Sequence, residues 1–121
     1  MDADNFIEYL KSHIRDSSLQ DTISILDKPP GRRPPQKIRE LSSWYHSMSA
    51  DDKDKLKEVI TEAIDSSLFG FLCVLDGVRA IEASEIKGRL ELYYTRDSQK
   101  VLINKEDDEY LHDKYIIVIQ D

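Results

Sequence analysis

Cysteine, glycine and proline are all scarce in this chain: one Cys, four Gly and four Pro among 121 residues. The single Cys73 excludes an internal disulfide, and without a CxxC or His-rich spacing there is no metal-ligand motif; no metal or other cofactor is implied. A lone thiol in an apolar stretch fits a reducing compartment, and MDADNFIEYL has neither the basic region nor the apolar core of a leader, so a cytoplasmic location is expected. The glycines, at 31, 70, 77 and 88, are too dispersed for a phosphate-cradling loop. The longest nearly uncharged apolar run, Ser66 to Leu75, is far shorter than the roughly 20 residues that cross a bilayer. Basic residues are also in deficit, 17 against 24 acids for a net charge of -7, which disfavours nucleic acid and anionic membranes and favours a basic protein partner.

The charge is unevenly distributed. Residues 1–27 carry 6 acids and 2 bases, 28–48 carry 1 acid and 5 bases, and 49–86 carry 9 acids and 4 bases. The basic interval coincides with Pro29-Pro30-Gly31-Arg32-Arg33-Pro34-Pro35, which holds every proline of the chain and predicts a stiff extended connection. At this length one domain is expected, with a helical hairpin over 1–28, the linker at 29–35, helices over 36–76 and a β region over 87–121.

Within that frame, Phe6, Tyr9, Leu10, His13 and Ile14 make one helical face behind Asp2 or Asp4 as N-cap, and Leu19, Ile23 and Leu26 make a second behind Ser17 and Ser18. A third helix from Gln36 turns Ile38, Leu41, Trp44 and Tyr45 inward, with Trp44 as core anchor. Ser49-Ala50-Asp51-Asp52 is a strong start signal for the longest helix, which keeps an apolar period through Leu75 and stops at Gly77. Phe69 to Leu75 is alternatively a strand, with Asp76-Gly77 as a hairpin turn. From Leu90 the period becomes two, predicting a hairpin around Asp97-Ser98, and the β-branched run Tyr115 to Ile119 suggests a third strand. The expected fold is therefore α+β: a four-helix N-terminal portion packed on a small antiparallel sheet of about three strands.

Two acidic groups stand out as partner-binding candidates. Asp51, Asp54, Glu58 and Glu62, continued by Asp65, recur at helical spacing and share one side of the long helix. Such a stripe is commonly a solvated face balanced by neighbouring lysines, here Lys53, Lys55 and Lys57; the functional alternative is a docking surface. Asp107, Asp108 and Glu109 form a second patch, beside Tyr110 as an aromatic anchor, with Tyr93 and Tyr115 as further aromatics. Among groups with chemistry to offer, His112-Asp113 are adjacent and so poorly placed to pair with each other, while His13 and His46 fall among apolar residues. Cys73, flanked by Leu72 and Val74, is expected to be an unreactive core thiol.

No catalytic constellation emerges, and the small size and acidic surface favour a binding protein over an enzyme. In these respects the chain resembles the small acidic immunity proteins of bacterial toxin and contact-dependent inhibition systems. Its most distinctive stretches, Leu68 to Arg79 and Tyr110 to Asp113, look like those of small bacterial proteins. The resemblance implies a cytoplasmic inhibitor that covers the active site of a cationic toxin nuclease. Two alternatives come from other classes: a homodimeric interaction module pairing through its third strand, and a small hydrolase using His112 with Glu82, Glu85 or Asp113.

Overall fold

The computed structural model describes residues 1–106 and 109–120. The chain is α+β. In order come α1 (Ala3–Tyr9), a π-helical segment (Leu10–Asp16), α2 (Ser17–Asp27), α3 (Gln36–His46), α4 (Ala50–Leu75), β1 (Tyr93–Arg96), β2 (Gln99–Leu102) and α5 (Leu111–Ile119). These elements group into two compact units, one made of residues 1–12 and 66–121 and the other of residues 13–65.

Residues 13–65 are entirely helical apart from short connections. The hairpin expected over 1–28 is absent: helical structure runs from Ala3 to Asp27, with the wider π turns at Leu10–Asp16 where a turn was anticipated. Ser17 and Ser18 are the first residues of α2, whose N-terminus has no side-chain cap hydrogen bond. The π segment holds Arg15, whose guanidinium donates from Nε to Asp65 Oδ1 at 2.6 Å and from Nη2 to Oδ2 at 3.1 Å. Pro29 to Pro35 end α2 and allow α3 to fold back on it. Ser42 Oγ then donates to the Leu26 carbonyl at 2.6 Å, and the His46 ring meets the Asp27 carbonyl at 2.6 Å through Nε2. Both contacts serve carbonyls of the last turn of α2, which have no partner within their own helix.

Those contacts set the rotation of α3. Ser42 and Tyr45 are its buried residues, whereas Trp44, expected as the anchor, is 51% exposed and Leu41 also faces outward. The pairs 41/44 and 42/45 differ by one residue, about 100° around the helix, and the Ser42 hydroxyl decides between them. α4 starts as its sequence demands: Ser49 Oγ accepts from the Asp52 amide at 3.1 Å. Phe69 to Leu75 is helix, and along α4 the apolar Val59 and Phe71 are exposed.

The other unit is built around Ile7, Leu72, Leu75, Ile103, Leu111 and Tyr115. Full burial of each such side chain contributes on the order of 1.5–3 kcal/mol. α4 ends at Gly77, whose φ of 76° places it in the left-handed region. The Gly77 amide donates to Val74 O and the Val78 amide to Cys73 O, the paired bonds of a Schellman terminus. β1 and β2 form an antiparallel pair in the register Tyr93 with Leu102 through Arg96 with Gln99, turning at Asp97, which has a φ of 55°. The sheet has two strands rather than three among the described residues, and Leu90 and Leu92 lie before it. The segment expected as the third strand is α5, which buries Leu111 and Tyr115, four residues apart, and packs on α1; Lys114 Nζ donates to Asp4 Oδ1 at 2.7 Å. Intrinsic β preference is weak against such packing.

Candidate functional site

The stripe on α4 lies in the unit of residues 13–65. Asp51, Asp54, Glu58 and Glu62 are exposed. At about 100° per residue they fall within an arc of roughly 80°, so they form one face. Asp65, within the same arc, is largely buried and held by Arg15, which removes it from the surface group. The lysines expected to balance the stripe serve it poorly. Lys53 Nζ lies over the Tyr45 ring, 4.8 Å from its centroid, on the opposite side of the helix from the acids. Lys55 alone reaches the stripe, at 3.2 Å from Glu58 Oε2, in a pair with both partners well exposed. Among the described residues no ion pair engages Asp51, Asp54 or Glu62. Like charges three and four residues apart destabilise a helix by roughly 0.2–0.5 kcal/mol per pair.

The second patch belongs to the other unit. Asp107 and Asp108 lie outside the described residues. Glu109 is exposed and its Oε2 is 3.8 Å from Lys114 Nζ. Tyr110 keeps 45% of its surface exposed while its ring stacks on His112, with centroids 5.2 Å apart and planes at 20°. Its phenol is thus presented on a ring already fixed in place. Tyr93 is exposed beneath Lys100 Nζ, 4.1 Å from the ring centroid. Partial desolvation, then the charge of Glu91 and a 3.3 Å hydrogen bond to it, raise the Tyr93 phenol above its ordinary pKa. Tyr115 is fully buried and is a core residue, not a surface anchor.

His112 stands differently from expectation. Its main partner is Asp76, 36 residues away: Nδ1 donates to Asp76 Oδ2 at 2.6 Å. The same carboxylate accepts from the Leu111 and His112 amides, both at 2.9 Å, and so caps α5. Phe69 meets the ring edge-on at 5.4 Å, and Nε2 is 3.4 Å from Asp113 Oδ1, so the adjacent pair does come within ionic reach. Of the carboxylates considered alongside His112, Glu82 accepts instead from the Gly88 amide at 2.7 Å. His13 and His46, although they fall among apolar residues in the sequence, are exposed. Cys73 is buried and its thiol is pushed above its ordinary pKa, chiefly by desolvation; Arg79 opposes that rise, while Asp76 and Asp113 add to it. Among the described residues no group of three or more His, Cys, Asp or Glu is placed to hold a metal ion.

Sequence reasoning missed Asp76, which looked like half of an Asp-Gly turn, and Asn104. Asn104 is buried: its Nδ2 donates to the Leu75 and Leu90 carbonyls, both at 2.7 Å, and its Oδ1 accepts from the Leu92 amide at 2.9 Å. An Asn flanked by apolar Ile103 is the only local signal for that role.

No protein-family model matches the chain, and neither the curated proteins nor the solved structures contain a significant match to it.

Proposed function

We propose that this chain is a binding protein that docks a basic protein partner on the acidic face of α4, as an immunity protein covers a cationic toxin nuclease. One observation carries the reading: Asp51, Asp54 and Glu62 present charge on a single helical face while the nearby Lys53 is turned away onto Tyr45. A solvated face shaped only by solubility gains from interspersed lysines. A face kept anionic gains from a cationic partner, which relieves the repulsion between the carboxylates and is drawn in by their field. No helix among the described residues is long and apolar enough to cross a membrane, and a cytoplasmic site of action accords with the single unpaired cysteine. Glu109 and Tyr110 offer a second surface for the same kind of partner. The homodimer alternative has lost the third strand on which it rested.

The test is affinity capture with the tagged full chain from its source cells at low salt, run beside a variant carrying Asp54→Lys, Glu58→Lys and Glu62→Lys, followed by binding kinetics with the captured protein. A basic protein retained by the parent and lost by the variant, with an association rate falling steeply as salt rises, is the expected result, since exposed charges are screened over about 8 Å at physiological ionic strength. Equal retention by both chains, or a rate indifferent to salt, overturns the proposal.

A further inference from the structure

A cavity of about 380 Å³ opens between the C-terminal end of α4, the segment of residues 77–90 and the residues after β2. Four cationic residues line it: Arg79, Lys87, Arg89 and Lys105. Three acids line it too, and each has its carboxylate engaged. Asp76 is held by the α5 amides and His112, Glu82 accepts from the Gly88 amide, and Glu106 lies 3.6 Å from Arg89. Arg89 also donates to the Asn104 carbonyl. Among the described residues no hydrogen bond or ion pair engages the head groups of Arg79, Lys87 or Lys105. Among the described residues the wall therefore has an excess of unanswered positive charge, in a chain that is strongly acidic overall.

Arg79 is also positioned, not merely nearby. Its guanidinium lies across α4 at Gly70, where a Cβ would collide with it. Gly70 is buried in the interior of a long helix, where glycine is unfavourable. The absence of a side chain there gives the guanidinium its place. The backbone supports the same end: the Arg79 amide donates to Cys73 O at 3.2 Å, within the terminus closed by Gly77. Ile81, Leu90 and Tyr110 add apolar surface to the lining.

We propose that this cavity binds a small phosphate monoester, its dianionic group taken by Arg79 with Lys87 or Lys105 and its apolar body by Ile81, Leu90 and Tyr110. A guanidinium fork matches two phosphate oxygens, and a second cation suits a dianion better than a monoanionic carboxylate. The overall negative charge screens out long polyanions while leaving the local field at the cavity for a small one. The site belongs to a different unit from the α4 stripe and does not depend on the partner proposed above.

The test is titration of the isotopically labelled full chain with phenyl phosphate, inorganic phosphate and benzoate at constant ionic strength, followed by amide NMR. Saturable shifts confined to Gly77, Arg79, Gly88, Lys105 and their neighbours are expected. Phenyl phosphate should bind at least about tenfold more tightly than either comparison compound, and Arg79→Gln should weaken it by about tenfold or more. Gly70→Ala separates ligand binding from folding: it improves helix propensity and should raise the thermal midpoint, while displacing Arg79 and weakening phenyl phosphate binding. No saturation at millimolar ligand, benzoate binding as tightly as phenyl phosphate, or affinity unchanged in both variants overturns the proposal.

Discussion

Asp76 holds His112 twice and its neighbour Leu111 once. Its Oδ2 accepts from both the His112 amide and the ring Nδ1, and its Oδ1 accepts from the amide of Leu111 beside it. A single carboxylate with a side chain only 4% exposed thus ties the C-terminal cap of α4 to the N-terminus of α5. The negative charge also sits at the positive end of the α5 dipole, where it is favoured. The arrangement explains why α5 forms although Tyr110, at its N-cap, makes no capping hydrogen bond of its own.

Removing that carboxylate is expected to be costly. Asp76→Ala deletes a helix cap, typically about 1 kcal/mol, and strands a buried ring N–H, about 1–3 kcal/mol more, for a loss of about 3 kcal/mol. Asp76→Asn retains one acceptor oxygen and should lose less. His112→Phe keeps the stacking with Tyr110 and Phe69 and leaves both capping bonds in place, so it should cost less than Asp76→Ala. Urea unfolding of the three variants gives the ranking; an Asp76→Ala midpoint equal to the parent's refutes the capping role.

Asn104 makes an independent prediction. Its side chain satisfies the carbonyls of Leu75 and Leu90 and the amide of Leu92, replacing a stretch of backbone pairing that residues 89–92 do not make in a sheet. Asn104→Ala removes all three partners at once from a site 3% exposed. The expected destabilisation is about 3 kcal/mol, the range for breaking a buried hydrogen-bond network. Asn104→Asp should also destabilise, because a carboxylate cannot donate to the two carbonyls. Hydrogen exchange at Leu92 supplies the local readout: its amide should lose protection in Asn104→Ala beyond what the global loss accounts for.

Much of the helical content was legible because its signals are local. Ser49 begins α4 and Gly77 ends it through interactions spanning only a few residues. The hairpin at Asp97-Ser98 was legible for the same reason. What the sequence concealed depends on distant partners. Tyr115 to Ile119 has strand-like composition, yet it is helical because Asp76, 35 residues before Leu111, caps it and the α1 face receives it. Trp44 outranks Ser42 on any hydrophobicity scale, but the Leu26 carbonyl needs a donor and the Ser42 hydroxyl supplies one, so Trp44 turns outward. The acidic stripe was legible as a face; that Asp65 leaves it for Arg15 and that Lys53 lies over Tyr45 rather than beside the acids was not. Arg79 carried no signal at all until its approach to Gly70 was known.

Cys73 links burial to pH. Desolvation holds its thiol above the ordinary value of 9.0 in the folded chain, so above about that pH the unfolded chain ionises this group while the folded chain still keeps it protonated. The unfolded state then binds fewer protons, and stability falls as pH rises; below that value both states are protonated and the group has no effect. The parent should therefore lose stability between neutral and alkaline pH faster than Cys73→Ala, by up to about 1.4 kcal/mol per pH unit over the interval in which the two forms differ. Comparing the two chains cancels the lysines and tyrosines they share. The same burial makes alkylation of the native thiol slow and dependent on unfolding, since the thiolate is the reacting form. Equal alkaline slopes in the two chains, or rapid modification of the folded protein at neutral pH, show that Cys73 is not sealed in the core.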